Sequence, residues 1–198
     1  MRSAPPANWR FPMKPTRVYQ GNYFDKLLAD PAWVAELKYD GGRGCLYVLD
    51  DGSVELWDRH QNIVPAEIVP DIYAALRRLP LPPGAILDGE IYPRGFAGMK
   101  YPAPGKYKLA LFDVLMDEPL RVRQAALRGV IGDKTEGVIH YVDQAHEDKR
   151  AFFDRIWQDE RAEGIVLKRL DSFRLDDPRV TKDSPYWVKV VKVSKARA

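Results

Sequence analysis

The sequence predicts an α+β domain whose sheets are mainly antiparallel and flanked by helices. Apolar runs of strand length outnumber the segments with helical spacing. Several of these runs are joined by short turns, and Asp51-Gly52 between two apolar runs is a strong hairpin signal. Strands joined by hairpins pair as antiparallel neighbours, whereas parallel strands need long crossover connections. These observations favour α+β over the alternating α/β class.

The N-terminal half begins with a proline-rich segment, residues 1–17, that we expect to form an extended arm. A short helix is predicted at 23–29, with Asn22 as its N-cap because asparagine favours that position. The elements predicted next are a strand at 33–39, hairpin strands at 44–49 and 54–57, and a helix over 68–79 that the segment 80–84 ends.

The C-terminal half alternates strands with two helices. Phe152, Phe153, Ile156 and Trp157 mark the buried face of the second helix. The predicted elements are strands at 86–92 and 108–115, a helix at 120–128, a strand at 137–142, a helix at 145–161, and strands at 164–167 and 186–193. A loop at 93–106, with three glycines and three prolines, separates the first two of these strands.

The bulk composition is that of one soluble globular domain. The chain has 198 residues, 45% of them hydrophobic and 30% charged. The net charge of +3 is a weak argument for nucleic-acid binding, which would depend on local basic clusters. The single cysteine, Cys45, excludes an internal disulfide and a cysteine-based zinc cluster, and we expect it in the core.

Neither a secretory signal nor a membrane span is predicted. Residues 1–15 lack the apolar region of a signal peptide, and no apolar run approaches the roughly 20 residues of a membrane helix. Together with the low cysteine content, this predicts a cytoplasmic protein.

Lys38 is the first candidate catalytic residue. It ends a predicted strand and precedes Asp40, two glycines and Arg43. A P-loop lysine instead opens a helix, so this is not a P-loop. A lysine is a nucleophile only when its amine is neutral, which requires desolvation or nearby cations such as Arg43, Lys168 and Lys189. The alternative is a solvated lysine at a strand end.

Glu90 and Glu163 form a candidate acidic pair. Each adjoins a glycine and an apolar strand. Mg²⁺ that is held through phosphates needs only one or two carboxylates, and Asp88 is a third candidate. The alternative is that these acids cap hairpin turns.

Lys168, Lys189 and Phe112 complete the candidate set. Two lysines that enter one cleft would suit a triphosphate, and Phe112 could stack on a base. Taken alone, each lysine fits an exposed strand position and Phe112 fits a core position. The three histidines show no zinc-ligand spacing, and there is no Gly-x-Ser-x-Gly elbow.

Five separated motifs, in this order, resemble those of the covalent nucleotidyltransferases: ATP-dependent DNA ligases, RNA ligases and mRNA capping enzymes. The motifs are Lys38-Tyr39-Asp40-Gly41-Gly42-Arg43, Asp88-Gly89-Glu90, Phe112-Asp113, Glu163-Gly164-Ile165-Val166-Leu167-Lys168 and Trp187-Val188-Lys189. The segments at 87–90 and 163–168 are most similar to those of the DNA ligases. The resemblance implies an ATP-grasp-like nucleotidyltransferase (adenylation) domain over residues 18–198, preceded by the arm at 1–17.

The resemblance also implies a covalent mechanism that uses ATP and Mg²⁺. By the matching positions, Lys38 would attack the α-phosphate and carry AMP, which passes to the 5′-phosphate of nicked double-stranded DNA before the nick is sealed. Glu90 and Glu163 match the acids near the ribose and the metal. Lys168 and Lys189 match lysines that contact the phosphates. Such ligases act in DNA repair and replication.

Four further positions match residues near the nucleotide. Glu36 matches a position beside the adenine, and Phe112 matches the aromatic residue that stacks on the base. Arg43 and Arg59 match arginines near the sugar, the phosphate or the nucleic-acid end. An RNA ligase, a GTP-using capping guanylyltransferase and a non-catalytic nucleic-acid-binding relic of the fold are the alternatives.

Two features depart from the family pattern. The closing motif of the family places its two lysines one residue apart, whereas here the second lysine, Lys192, is displaced by one position. In a strand, this shift turns the side chain to the opposite face unless a bulge corrects it. The OB-fold domain that follows in family ligases is not predicted in this sequence, which indicates either an excised catalytic domain or a standalone nucleotidyltransferase that relies on a separate DNA-binding domain or protein. We expect a monomer.

Overall fold

Ten strands and four helices occur in the part of the chain that the computed structural model describes, residues 4–93, 105–132, 137–160, 162–177 and 179–192. The strands are β1 (Lys14–Arg17), β2 (Trp33–Lys38), β3 (Gly42–Val48), β4 (Val54–Trp57), β5 (Ile86–Pro93), β6 (Tyr107–Val114), β7 (Ile139–Tyr141), β8 (Gln144–Ala145), β9 (Gly164–Arg169) and β10 (Asp183–Val191). The helices are α1 (Asn22–Ala29), α2 (Pro70–Leu76), α3 (Leu120–Ile131) and α4 (Lys149–Gln158). Most of the loop predicted at 93–106, and the last residue predicted for the helix at 145–161 and for the strand at 186–193, lie outside the described residues.

The strands form two five-stranded sheets within the described residues. The first has the order β1-β10-β9-β2-β8 and the second the order β4-β3-β5-β6-β7. All strand pairs are antiparallel except β1 with β10 and β6 with β7. The predicted α+β class with mainly antiparallel sheets is therefore confirmed. None of the described helices has the length and apolar character needed to cross a membrane.

Alternation along β2 gives the first sheet one apolar and one polar face. Trp33 and Ala35 pack with Phe24 of α1 and Phe153 of α4 in a buried cluster. Successive side chains of a strand point to opposite faces, so the even-numbered residues of β2, which include Lys38, face away from these helices. The second sheet is covered by α2 and α3 in a separate apolar cluster.

The N-terminal arm packs onto the domain along much of its described length. Trp9 stacks on Tyr47 with a centroid distance of 5.5 Å, and Met13 is fully buried. Residues 14–17 form β1, an edge strand that pairs in parallel with β10. The prediction of an extended arm did not include this pairing, because proline spacing carries no information about a partner strand about 170 positions away in the sequence.

Helix boundaries differ from the predictions at several positions. Asn22 is the first residue of α1 and not its N-cap, which is Gly21 with φ 147° and no side-chain cap bond. The helix predicted at 68–79 is shorter, because it begins at Pro70, which favours the first turn. The helix predicted at 145–161 begins at Lys149, four residues after its predicted start, because the preceding residues form β8, which pairs with β2.

Candidate active site

A cleft of about 540 Å³ is lined by residues of both sheets. The polar face of the first sheet forms one side of the cleft, and residues of β3, β5 and β6 form another. Nine residues that the sequence singles out for the nucleotide site border this cleft: Glu36, Lys38, Arg43, Arg59, Glu90, Phe112, Glu163, Lys168 and Lys189. These residues are spread along the chain from position 36 to position 189, and strand pairing brings them together.

Strand register explains why these residues meet. Residues directly opposite each other in an antiparallel pair share a face of the sheet. Val166 of β9 lies opposite both Glu36 and Lys189, which places all three in one row. Gly164 lies opposite Lys38 in the adjacent row. The floor of the cleft is therefore an ordered grid of side chains from three strands.

Glu163 forms an ion pair with Lys38. The Lys38 Nζ lies 2.5 Å from Glu163 Oε2, and the side chains are 21% and 34% exposed. The next residue, Gly164, has a φ of +153°, and a Cβ atom there would lie 2.1 Å from the carbonyl oxygen of Val190, so glycine permits the close approach of β9 and β10 beside the ion pair. The candidate nucleophile thus touches a carboxylate that can accept its proton.

Glu90 carries a charge that the cleft stabilises poorly. Burial raises its pKa, and attraction to Lys38 and Arg43 offsets only part of this effect. Repulsion from Glu163 and Asp88 adds to the increase, so the pKa rises to about 7. A bound cation would favour the ionised form.

We expect Glu90→Gln to stabilise the protein more at high pH than at low pH. The folded pKa of about 7 exceeds the ordinary value of 4.5, so the native state holds a proton that the unfolded state has lost. Stability from Glu90 is therefore lost as the pH rises through about 7. The melting temperature of the variant minus that of wild type should increase between about pH 5 and about pH 8. A constant difference would contradict the shifted pKa.

Arg43 is held by an internal carboxylate. Its Nε and Nη2 both donate to Asp88, which is fully buried and also accepts from Arg174. Burial alone would raise the pKa of Asp88, but the two arginines outweigh it and lower the pKa to about 2. Asp88 therefore pairs with these two arginines. It does not border the cleft, so it is not placed to be a third carboxylate ligand of Mg²⁺.

The Asp88 pair belongs to a buried ionic network that sequence reasoning missed. Arg174 also donates to Asp113 at 2.7 Å and to Asp176 at 2.7 Å. Arg123 donates to Asp113 at 2.8 and 3.1 Å. Arginine and aspartate are ordinary surface residues in a sequence, so only the fold shows that these are buried and paired.

Lys168 lies deep at one end of the cleft. Its Nζ is 2.6 Å from Glu36 Oε2 and lies over the rings of Phe112 and Trp187, 4.3 and 4.1 Å from their centroids. Gln124, which sequence reasoning missed, donates to the other oxygen of Glu36 at 3.0 Å. Burial lowers the pKa of Lys168 and raises that of Glu36, while their mutual attraction opposes both shifts.

The cleft thus has an aromatic, largely buried end and a charged end. The ammonium of Lys168 is held by Glu36 at the aromatic end, so its expected contact with a phosphate stays a prediction. Lys189 lies in the same row as Val166, and burial lowers its pKa, with repulsion from Lys38 adding to the decrease. Arg59 is exposed at the rim.

Lys192 does not border the cleft. The pairing of β10 with β9 is regular through Val191, so no bulge corrects the displaced lysine. Its Nζ donates to the carbonyl oxygen of Asp159, at the end of α4, at 2.5 Å. Lys192 therefore lies on the helix-covered face of the sheet.

The cleft has suitable groups for a metal that is held partly by phosphates. The described residues contain no group of three or more histidine, cysteine, aspartate or glutamate side chains placed to hold a metal ion alone. Glu90 and Glu163 both border the cleft near Lys38 and could supply two oxygen ligands, which suits Mg²⁺ with phosphates or water completing its coordination.

Comparison with solved structures identifies the fold. No family model and no curated protein matches the sequence. The ligase domain of LigD from M. tuberculosis superposes with a TM-score of 0.60 at 19% identity, over 89% of this chain and 60% of that one. The fold is that of a ligase nucleotidyltransferase domain. The ATP-dependent DNA ligase of bacteriophage T7, in complex with ATP, has the same fold, with a TM-score of 0.57, 16% identity and coverage of 91% and 68%.

The ligase nucleotidyltransferase fold occupies only part of many of these proteins. A structure designated Pmar-Lig_PreS3 gives a TM-score of 0.64 at 15% identity, and the match covers 92% of this chain but 47% of that one. The present chain thus spans about half the length of this ligase structure. The fold implied by the sequence motifs is confirmed, and the roles of the individual residues stay predictions.

Proposed function

We propose that the chain is the catalytic domain of an ATP-dependent DNA ligase. The observation that carries this proposal is the contact between Lys38 Nζ and Glu163 Oε2, at 2.5 Å, within a cleft that residues from all five motifs border. Its fold, which it shares with ATP-dependent DNA ligases, supports the same function. An isolated lysine of this kind would be unremarkable, but this one is partly buried beside a proton acceptor.

In the first step, the Lys38 ammonium loses its proton to solvent by way of Glu163, and the neutral amine attacks the α-phosphorus of ATP. A nitrogen–phosphorus bond forms, the bond to the bridging oxygen breaks, and pyrophosphate leaves. Lys189 borders the same cleft and would stabilise the phosphate charge. The chain thus contributes mainly position and charge.

The base and the sugar would lie toward the aromatic end. Phe112 and Val166 offer apolar surfaces for the base, and Glu36 offers a carboxylate acceptor at the same depth. Glu90 and Glu163 would hold Mg²⁺, which neutralises phosphate charge when it is bound. The cleft volume of about 540 Å³ is in the range of small-molecule sites.

In the second and third steps, AMP leaves Lys38 and the nick is closed. An oxygen of the 5′-phosphate of nicked DNA attacks the phosphorus of the lysine adduct, and the nitrogen–phosphorus bond breaks. The 3′-hydroxyl then attacks the activated 5′-phosphate, which forms the phosphodiester bond and releases AMP. The lysine amine regains a proton and the cycle is complete.

Incubation with α-labelled ATP or GTP, followed by denaturing electrophoresis, tests the proposal. Covalent label from ATP alone, together with sealing of nicked DNA, is expected. Label from GTP would indicate a capping guanylyltransferase, and sealing of RNA but not DNA would indicate an RNA ligase. Absence of label from both nucleotides would indicate a non-catalytic relic of the fold.

Lys189→Ala and Lys192→Ala form a matched pair with different expected effects. Lys189 borders the cleft, so its loss should reduce the labelling rate by about tenfold or more. Lys192 faces α4, so its loss should leave the rate within about twofold of wild type, since it removes only a partly exposed hydrogen bond. Equal losses in single-turnover labelling assays would place Lys192 in the site and contradict the regular register of β10.

A further inference from the structure

The positive charges of the cleft differ in how firmly they are already paired. Lys168 is buried against Glu36 at 2.6 Å, and Lys38 contacts Glu163 at 2.5 Å. Lys14 also borders the cleft, but its only ion pair in the described residues is with Asp183 at 3.4 Å. The two side chains of that pair are 54% and 62% exposed, so the attraction is weak and screened by salt. The charge of Lys14 is therefore available to a ligand.

The backbone holds Lys14 in a fixed position although its side chain is exposed. Its amide donates to the carbonyl oxygen of Lys182 at 2.9 Å, and it is the first residue of β1. The preceding Met13 is fully buried and accepts a hydrogen bond from Arg43 through its carbonyl oxygen. The side chain of Lys14 thus starts from a rigid edge of the cleft, and little order has to be gained when it binds a ligand.

Lys14 and the other cleft lysines form a group of like charges. Burial and repulsion from Lys38 lower the pKa of Lys189, attraction to Glu163 and Asp183 opposes this decrease, and repulsion from Lys14 adds to it. Clustered like charges oppose one another in the free protein, and an anion relieves that repulsion. Polyphosphates and phosphate esters are the anions that suit several lysines at one opening.

We propose that Lys14 of the N-terminal arm binds a phosphate group of the substrate at the mouth of the cleft. This inference rests on the proposed function. Two phosphates have the required chemistry, the β- and γ-phosphates of ATP and the 5′-phosphate of the nick. In either case the arm is part of the substrate site, and Lys14 is a binding residue that the five motifs do not contain.

Equilibrium binding tests this inference without requiring catalysis. One arm of the experiment uses α,β-methylene ATP, which cannot transfer its AMP. The other uses nicked duplex DNA with a 5′-phosphate, beside the same duplex with a 5′-hydroxyl. The variants are Lys14→Ala, Lys14→Arg and the control Lys26→Ala, which removes an exposed lysine from α1 on the helix-covered side of the first sheet.

Lys14→Ala should raise the Kd for one of the two phosphate ligands by about tenfold at low salt, the effect of losing one charge-assisted hydrogen bond. Lys14→Arg should restore affinity to within about threefold, because it keeps the charge. For DNA, the effect should disappear with the 5′-hydroxyl duplex. The inference is overturned if Lys14→Ala and Lys26→Ala bind both ligands equally, or if wild type binds neither. Wild type that binds but takes no label contradicts the proposed function alone.

Discussion

Replacing Lys38 by alanine is expected to abolish covalent labelling by ATP while the fold remains intact. The side chain ends β2 at the border of the cleft and makes no core contact with the helices that cover the first sheet. Removal of the nucleophile from an enzyme with a covalent intermediate costs about 10⁴-fold or more in rate. Labelled protein after denaturing electrophoresis measures this, and thermal unfolding measures the fold.

Lys38→Arg provides a matched control for charge. It keeps the positive partner of Glu163, but a guanidinium does not lose its proton in proteins and cannot attack phosphorus. We therefore expect no label from this variant, with a melting temperature close to that of wild type. Persistent labelling of either variant would mean that another residue is the nucleophile.

Glu163→Gln and Glu90→Gln are each expected to reduce the labelling rate by about 10²-fold or more, as is typical when a group that organises transition-state charge is removed. Glu163→Gln removes the acceptor that lies 2.5 Å from the Lys38 amine. Glu90→Gln removes the second carboxylate that could hold the metal. Glu67→Gln, at an exposed position outside the cleft, is the control. The measurement is single-turnover labelling over a range of Mg²⁺ concentrations.

The two glutamate variants separate loss of activity from loss of structure. Glu90→Gln should label more slowly than wild type yet be more stable above about pH 7, because it removes a carboxylate that the cleft desolvates. A variant with the wild-type rate at low Mg²⁺ would show that its carboxylate does not take part in catalysis. Lower activity together with a lower melting temperature at every pH would indicate a structural role.

The sequence by itself determined the class of the fold and most of the charged residues that border the cleft. Apolar runs of strand length predicted β2 and β9, and the candidate acids Glu90 and Glu163 each adjoin a glycine and an apolar strand. Because side chains alternate strictly along a strand, even the displacement of Lys192 could be interpreted before the structure was known. Its orientation toward α4 confirms the simple rule of alternation without a bulge.

The partners of these residues were decided only by the tertiary structure. Arg43 meets Asp88, and Asp88 meets Arg174, across 45 and 86 positions of sequence. No local pattern encodes such pairs, because their energies depend on burial, which lowers the dielectric response around charges and makes an unpaired one costly. The same holds for the N-terminal arm: proline spacing indicates an extended segment, but only the pairing of β1 with β10 brings Lys14 to the cleft.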